Sequence, residues 1–274
     1  MPAITLLTDF GLRDGYVAAM KGVILGIAPN VTVVNITHEV PPQDIASAAF
    51  ILATTYPYFP SDTIHVAVVD PGVGTGRRAI LLDTPCGRFL APDNGILSHV
   101  LAGLSPARGA GSGIAVPQAP LPVGSRAYVV QNRSLFLPGV SQTFHGRDIF
   151  APVAARLALG LPAHEVGPEA GEVAAFPAPV PERLPNGGVL GTVLHVDAFG
   201  NLITNLRQED LPAGPLRVRM GGRVIAGLSA SYQEGGEILA IIGSSGRLEI
   251  AARNANAAKT LTQARGAEVV VEQV

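Results

Sequence analysis

The sequence contains one cysteine, Cys86, which excludes an internal disulfide and any metal site built from several thiolates. It has no apolar run near the ~18 residues that a membrane-spanning helix requires, and its first residues lead into a strand pattern without a basic, hydrophobic leader. The net charge of −2 and the absence of basic runs give no electrostatic reason to expect nucleic acid or an anionic membrane as a partner. We therefore expect a cytoplasmic protein that binds neither nucleic acid nor membrane.

The first half of the sequence alternates strand patterns with helix patterns. A short apolar strand at Ile4–Thr8 precedes a helical period that begins at Val17, and the same order repeats in residues 31–56. Asp14 and Asp44 stand just before the two helical patterns, where a carboxylate can cap free backbone N–H groups. Strands that alternate with helices predict an α/β fold, with a mainly parallel sheet flanked by helices.

Prolines crowd the stretch between Gly167 and Gly188, which has neither a helical nor a strand period and therefore predicts a semi-rigid linker. Short β-rich runs separated by glycine, proline and asparagine follow it, and their spacing is typical of a small antiparallel β-barrel. We therefore divide the chain into an α/β N-terminal domain (1–168), a proline-rich linker (169–187) and a β-barrel C-terminal domain (188–274).

The apolar strand pattern at residues 63–69 ends at Asp70, in a glycine-rich loop that also carries Arg77 and Arg78. Ligands of open α/β sheets bind beyond the carboxyl ends of the strands, where this loop is expected. The loop lacks the Lys-Ser/Thr ending of a P-loop, and Arg77 stands where a dinucleotide fingerprint has its last glycine. From these residues alone two interpretations are open: Asp70 is catalytic, or it pairs with Arg77 or Arg78 to stabilise a turn. His145 lies in a loop just before another helical pattern, where the helix dipole favours a neutral imidazole unless a carboxylate offsets it.

Short polar segments stand at predicted strand ends along nearly the whole chain. They are Thr8-Asp9-Phe10-Gly11, Asp70-Pro71-Gly72-Val73-Gly74-Thr75 with Arg77-Arg78, Pro92-Asp93-Asn94-Gly95, Thr143-Phe144-His145-Gly146-Arg147-Asp148, Phe199-Gly200-Asn201 and Arg253-Asn254-Ala255. This ordered set resembles the S-adenosylmethionine (SAM) hydrolase family, also called hydroxide adenosyltransferases, whose halogenating relatives are the fluorinases and chlorinases. A single segment would be a weak signal, whereas the whole set in this order is specific.

The resemblance implies that Asp70, Arg77 and His145 form the set that activates water. In the halogenating relatives tyrosines occupy the Asp and His positions, so this chain is similar to the hydrolases. The resemblance also implies a homotrimer, with each site between the first domain of one subunit and the second domain of its neighbour. The chain has no tryptophan, so Gln43 and Ile203, where halogenating relatives hold one, predict a different pocket shape.

The resemblance further assigns residues to parts of the substrate. Asp9 matches the carboxylate that accepts hydrogen bonds from both ribose hydroxyls. The positions that match the surroundings of adenine are Phe199, Asn201, Asn254 and Ala255, with Arg253 in the same segment. The positions that match contacts to the methionine end are Asp14, Asp197 and Ser244, with Glu249 near the amino group. From the residues alone, Asp14 also fits a helix cap, and Asp197 and Asn201 fit a turn.

These residue types suit hydrolysis of SAM to adenosine and L-methionine without a cofactor or metal. The sulfonium is already a good leaving group, so the site must supply an oxygen nucleophile in line with the ribose 5′ carbon. Because water ionises with a pKa of ~16, Arg77 would stabilise hydroxide character while Asp70 or His145 takes a proton.

Two other functions stay open at this stage. A metal-dependent phosphoesterase would use a ligand set of Asp9, Asp70, Asp93, Asn94 and His145. Against it, no second histidine is clustered with these residues, and an arginine beside the carboxylate would oppose a cation. A non-catalytic adenosine or SAM-binding protein would bind without turnover, but such a protein has no need of a water-activating set.

Overall fold

A computed structural model describes residues 2–104 and 118–274. Of these, the residues up to 178 form one compact unit and residues 179–274 form another. The strands and helices of the first unit are β1 (Ile4–Thr8), α1 (Tyr16–Ile27), β2 (Val33–Thr37), α2 (Ile45–Thr55), β3 (Ile64–Val68), β4 (Ala79–Thr84), β5 (Gly87–Pro92), α3 (Ser98–Leu104), β6 (Gln118–Pro120), β7 (Arg126–Val129), α4 (Ala151–Ala158), β8 (Glu169–Ala170) and β9 (Glu172–Ala174).

The main sheet of the first unit is mixed, with the strand order β2-β1-β3-β5-β4-β7-β8. The pairs β1/β2, β1/β3 and β3/β5 are parallel, whereas β4/β5, β4/β7 and β7/β8 are antiparallel. The predicted α/β class is confirmed. Because β1 and β3 are parallel neighbours, the loops that follow them lie at the same edge of the sheet.

Helices cover both faces of this sheet because successive residues of a strand point to opposite sides. Leu6 packs in one core with Met20 of α1 and Phe150, which immediately precedes α4. Its neighbour Leu7 packs in the other core with Leu52 of α2. Burial of apolar side chains of this size contributes about 1.5–3 kcal/mol each, so the alternating pattern of β1 fixes where the helices pack.

The second unit is an antiparallel, barrel-like sheet with the strand order β14-β13-β17-β11-β12-β16-β15, beside which β10 pairs with β11. Its elements are β10 (Glu182–Arg183), β11 (Val189–Val196), β12 (Leu202–Arg207), β13 (Leu216–Met220), β14 (Arg223–Ala226), β15 (Ile238–Ile242), β16 (Arg247–Ala252), α5 (Ala257–Leu261) and β17 (Glu268–Gln273). The end strands β14 and β15 lie close together, so the sheet is nearly closed around a buried apolar core. The predicted β-barrel is confirmed.

Two local features differ from the sequence predictions. The proline-rich stretch contains short strands, since β8 pairs with β7 and β9 pairs with β6. These strands are too short to produce a recognisable period. The cap predicted for Asp14 is wrong: α1 begins after Gly15 without a side-chain cap, whereas Asp44 accepts the Ser47 N–H at 3.0 Å and caps α2 as predicted. In the described ranges no helix is long and apolar enough to cross a membrane.

Candidate active site

A cavity of about 640 Å³ opens where the loops after β1 and β3 meet the segment before α4. Its lining includes two carboxylates, three aromatic rings and an imidazole, which are Asp9, Asp70, Phe10, Tyr16, Phe144 and His145. The cavity lies beyond the carboxyl ends of parallel strands, where open α/β sheets bind their ligands.

Arg77 contacts both Asp70 and His145, which line this cavity, although Arg77 and His145 are 68 residues apart in the sequence. Arg77 Nε donates to Asp70 Oδ2 at 2.9 Å, and Arg77 Nη2 donates to the same oxygen. Nη2 also donates to His145 Nδ1 at 2.8 Å. The Arg77 and Asp70 side chains are only 12% and 5% exposed, so the ion pair is largely shielded from water. The Asp70–Arg77 ion pair of the turn interpretation therefore forms, and His145 is hydrogen-bonded to its arginine.

The contact with Arg77 determines which nitrogen of His145 accepts. A guanidinium has no acceptor, so Nδ1 of His145 must accept the hydrogen bond from Arg77. Burial lowers the pKa of His145 and the positive charge of Arg77 lowers it further, against the opposing effects of Asp70, Asp148 and the Ser141 backbone. The imidazole is therefore neutral at neutral pH. The helix dipole predicted this state from the sequence, whereas burial and Arg77 are its causes.

The adjacent arginine, Arg78, belongs to a separate structural contact. Its Nε donates to Asp93 Oδ2 at 2.7 Å, and the other Asp93 oxygen accepts the Ala174 N–H at 2.7 Å. Asn94 Nδ2 donates to the Val69 carbonyl at 2.9 Å. In the part of the chain that the structure describes, no three His, Cys, Asp or Glu side chains are grouped so that they could hold a metal ion. The ligand set of the phosphoesterase hypothesis is therefore not assembled among these residues.

Two glycines allow the segments around the cavity to approach closely. Gly74 has a φ of +75°, and a Cβ at this position would lie 2.3 Å from the Gln142 carbonyl oxygen. A Cβ on Gly146 would lie 3.1 Å from Met20 Sδ and 3.2 Å from the Phe10 ring. Gly146 also begins a π turn, a feature that is frequent at functional sites. Gly74 thus lets the loop after β3 lie directly against the segment that carries the histidine, and Gly146 lets that segment approach Met20 and Phe10.

Asp9 lies in the cavity wall, and its Oδ2 accepts the backbone N–H of Gln43 at 2.8 Å. Gln43 also lines the cavity and has a positive φ of 64°. Asp14 is exposed in the loop before α1 and is not part of the cavity wall. Of the predicted contacts in the first unit, the structure thus brings Asp9 to the cavity but not Asp14.

In the second unit, Asp197 organises the turn between β11 and β12. Its Oδ1 accepts the backbone N–H groups of Phe199 and Asn201 at 2.9 and 2.8 Å, and its Oδ2 accepts the Asn201 side-chain amide at 2.9 Å. Asn201 is buried, whereas Phe199 is 79% exposed. Asp197 and Asn201 therefore do shape a turn, as their residue types alone predicted.

Glu249 is a buried carboxylate on β16, 5% exposed. Its sequence neighbours Leu248 and Ile250 belong to the barrel core, so Glu249 lies on the other face of the strand. The Tyr232 hydroxyl donates to Glu249 Oε2 at 3.3 Å. Burial raises the pKa of Glu249, the hydrogen bond from Tyr232 lowers it, and the charge of Asp197 raises it again. Glu249 and Asp197 are thus electrostatically coupled within this unit.

The other predicted contacts in the second unit are all exposed: Ser244, Arg253, Asn254 and Ala255. Arg253 Nη1 donates to the Gln233 carbonyl at 3.4 Å, and Asn254 has a positive φ of 56°.

Tyr16 and Arg147 also line the cavity, although neither was predicted from the sequence as a site residue. The rings of Phe10, Tyr16 and Phe144 contact one another, with centroid distances of 5.2 to 5.9 Å. The Arg147 guanidinium lies 5.0 Å from the Phe144 centroid, and its Nε donates to the buried Asp148 at 2.6 Å. Two features of the sequence point to these residues. Tyr16 lies off the apolar face of α1, and Arg147 lies in the same polar segment as His145.

Comparison with known proteins shows the same family in both units. A family model described as SAM hydroxide adenosyltransferase N-terminal domain matches residues 4–167, and the corresponding C-terminal domain matches residues 191–270. A protein from Salinispora tropica named (R)-S-adenosyl-L-methionine hydrolase is 40% identical, over 95% of this chain and 94% of its own length. A fluorinase from Nocardia brasiliensis is 26% identical, over 99% of this chain and 97% of its own length.

A crystal structure of an uncharacterized conserved protein from Thermotoga maritima has a TM-score of 0.84 and 34% sequence identity, and covers 98% of this chain and 100% of that one. The similarity thus extends over nearly the full length in sequence and in structure. The resemblance inferred from the ordered polar segments is confirmed, and the chain belongs to the SAM hydroxide adenosyltransferase family.

Proposed function

We propose that this protein hydrolyses SAM to adenosine and L-methionine, by in-line attack of activated water at the ribose 5′ carbon. The observation that carries the proposal is the contact of Arg77 with Asp70 and His145, two residues that line the cavity. The relative named as a SAM hydrolase, which matches 95% of this chain, supports the same reaction.

The site has to activate the nucleophile, because the sulfonium sulfur of SAM leaves as methionine without being protonated. Water has a pKa of ~16, so a site that works at neutral pH must stabilise hydroxide character in the transition state. The guanidinium of Arg77, shielded from water, provides positive charge for this purpose. Alignment of water behind the carbon can lower the barrier by ~7–11 kcal/mol at the favourable limit.

The hydrogen bonds favour Asp70 over His145 as the proton acceptor. The lone pair of His145 Nδ1 is used by Arg77, so the neutral ring carries its proton on Nε2 and acts there as a donor. A carboxylate has about four acceptor positions, so Asp70 can accept a proton from water while it is bound to Arg77. In this mechanism Asp70 takes the proton as the C–O bond forms and the C–S bond breaks.

The remaining predicted residues would hold the substrate. Asp9 would bind the ribose hydroxyls. The residues proposed for adenine are Phe199, Asn201, Arg253, Asn254 and Ala255, and those for the methionine end are Asp14, Asp197, Ser244 and Glu249. The proposal includes a homotrimer in which the second unit of one subunit completes the site of its neighbour, and the exposed Phe199 side chain supports it. The lone, exposed Cys86 supports a reducing, cytoplasmic location.

The decisive experiment is incubation of the protein with SAM in oxygen-18 water, with and without halide, followed by mass spectrometry of the nucleoside. The proposal predicts adenosine that carries the label at its 5′ oxygen. A 5′-halogenated nucleoside would instead assign halogenase activity, and unchanged SAM bound to the protein would assign a binding function. Activity that EDTA abolishes and a divalent ion restores would contradict the metal-free mechanism.

Substitution of Asp70, Arg77 or His145 by alanine is expected to remove most of the turnover while the protein remains folded. The matched control is Asp62→Asn, which changes an exposed carboxylate outside the cavity and should leave turnover unchanged. Full activity in all three alanine variants, at an unchanged melting temperature, would refute the assignment.

Subunit mixing tests the shared site. Asp70→Ala and Asn201→Ala proteins, each inactive alone, should regain activity when their subunits exchange, because some sites then combine two intact halves. Native mass spectrometry should show trimers. Monomers, or mixed trimers without recovered activity, would contradict this part of the proposal.

A further inference from the structure

Gln43, which lines the cavity, lies in a turn with an unfavourable backbone conformation. The Asp44 N–H donates to the Pro41 carbonyl at 3.0 Å, which closes a β-turn with Pro42 and Gln43 at its centre. Proline at the second position and a positive φ at the third are the features of a type II turn, and the third position favours glycine or asparagine. This chain has glutamine there, at a φ of 64°. An unfavourable conformation of this kind persists only where surrounding contacts hold it.

The contact that this conformation makes is directed at Asp9. The Gln43 N–H donates to Asp9 Oδ2 at 2.8 Å. The same segment also holds the loop of Asp9 from its other end, because the His38 carbonyl accepts the Gly11 N–H at 2.7 Å. In addition, Nδ1 of the buried His38 lies 2.8 Å from the Thr8 hydroxyl oxygen. Residues 38 and 43 thus fix the loop that carries the carboxylate.

We propose that Gln43 is a positioning residue, whose left-handed backbone orients the Asp9 carboxylate to receive the ribose hydroxyls. This inference rests on the proposed function, since it takes ribose as the group that Asp9 binds. One backbone N–H on Oδ2 restricts rotation of the carboxylate and leaves Oδ1 and further lone pairs for two hydroxyl donors. The backbone of Gln43, and not only its side chain at the cavity wall, thereby determines affinity for the nucleoside.

The test compares Gln43→Pro, which removes the N–H and prevents a positive φ, with Gln43→Gly, which keeps the donor and adopts this φ readily. Dissociation constants for adenosine and for 2′,3′-dideoxyadenosine are measured by calorimetry for both variants and the native protein. Because a hydrogen-bonded charged group is affected, Gln43→Pro should bind adenosine about tenfold more weakly than Gln43→Gly. The two variants should bind the dideoxynucleoside with equal affinity, since it lacks the hydroxyls.

Equal affinities of the two variants for adenosine would overturn the inference. An equal loss for both nucleosides would also overturn it, because that result indicates a general disturbance of the cavity. If Gln43→Pro does not fold by circular dichroism, Gln43→Val replaces it, since a β-branched residue strongly disfavours a positive φ. The binding ratios do not depend on turnover. Native protein that binds adenosine but does not hydrolyse SAM would therefore contradict the proposed function alone.

Discussion

Replacement of Gly74 by alanine tests whether catalysis depends on the close approach of the loop after β3 to the segment before α4. The added Cβ would lie 2.3 Å from the Gln142 carbonyl oxygen, whereas ordinary contacts begin at 3.4 Å, so the two backbones must separate by about 1 Å. Displacement of this size in a catalytic arrangement can lower turnover by ~100-fold. The positive φ adds a cost of ~1–2 kcal/mol, which corresponds to a decrease of ~2–8 °C in Tm.

The assay is adenosine release from SAM followed by chromatography, together with thermal unfolding. Gly76→Ala is the matched control: it adds the same methyl group to the same loop, where no atom lies within 4 Å of the new Cβ. We expect Gly76→Ala to retain the native kcat/KM. In Gly74→Ala, kcat/KM should fall by up to ~100-fold. Equal activity of the two variants would refute the argument that this contact aligns Asp70 with His145.

Further predictions concern the histidines and the second unit. Burial lowers the pKa of His65 to about 4, so the folded state favours its neutral form. The lowered pKa contributes about 3 kcal/mol to the free energy of unfolding. This contribution is complete above the unfolded pKa of ~6.5 and is lost as the pH falls towards 4. Urea unfolding at several pH values should show this pH dependence of stability, and His65→Gln should reduce it. An identical pH dependence in the native protein and in His65→Gln would contradict the prediction. Because the pKa of His145 is lowered, kcat/KM should persist as the pH falls through 6.5 and decline only at lower pH. A decline centred above pH 6.5 would contradict a neutral imidazole. Gly200→Ala should lower Tm more than Gly222→Ala. Both glycines have a positive φ, but only the Cβ at Gly200 would overlap a side chain, that of Asn256 at 2.1 Å. Equal decreases in Tm would count against this overlap.

The α/β class was predictable because the pattern of β1 and its helices is local. Neighbouring residues such as Leu6 and Leu7 are both apolar and enter different cores, which is what a strand covered on both faces requires. The strands at Glu169–Ala170 and Glu172–Ala174 were not predictable, because they depend on partners far away in the sequence. Asp14 failed as a cap because α1 begins after Gly15, one position further along the chain.

The candidate site was only partly predictable from its residue types. Sequence patterns placed Asp70 at a strand end, but they could not decide between Arg77 and Arg78 as its partner. The structure separates them, since Arg77 pairs with Asp70 and Arg78 pairs with Asp93. The contact of Arg77 with His145 joins residues that are distant in the sequence, so only the resemblance to a family predicted that they act together.

The turn around Asp197 has a consequence for the kinetics of association. The Asp197 side chain accepts three hydrogen bonds from within the turn, and the Ala258 N–H donates to the Gly200 carbonyl at 3.0 Å. The turn therefore keeps its shape without help from any bound molecule. Phe199 is therefore presented on a preorganised support, and little conformational entropy has to be lost when a ring or an apolar surface meets it. Encounter at this aromatic side chain should be limited by diffusion and orientation, and differences in affinity should arise from how long the complex lasts.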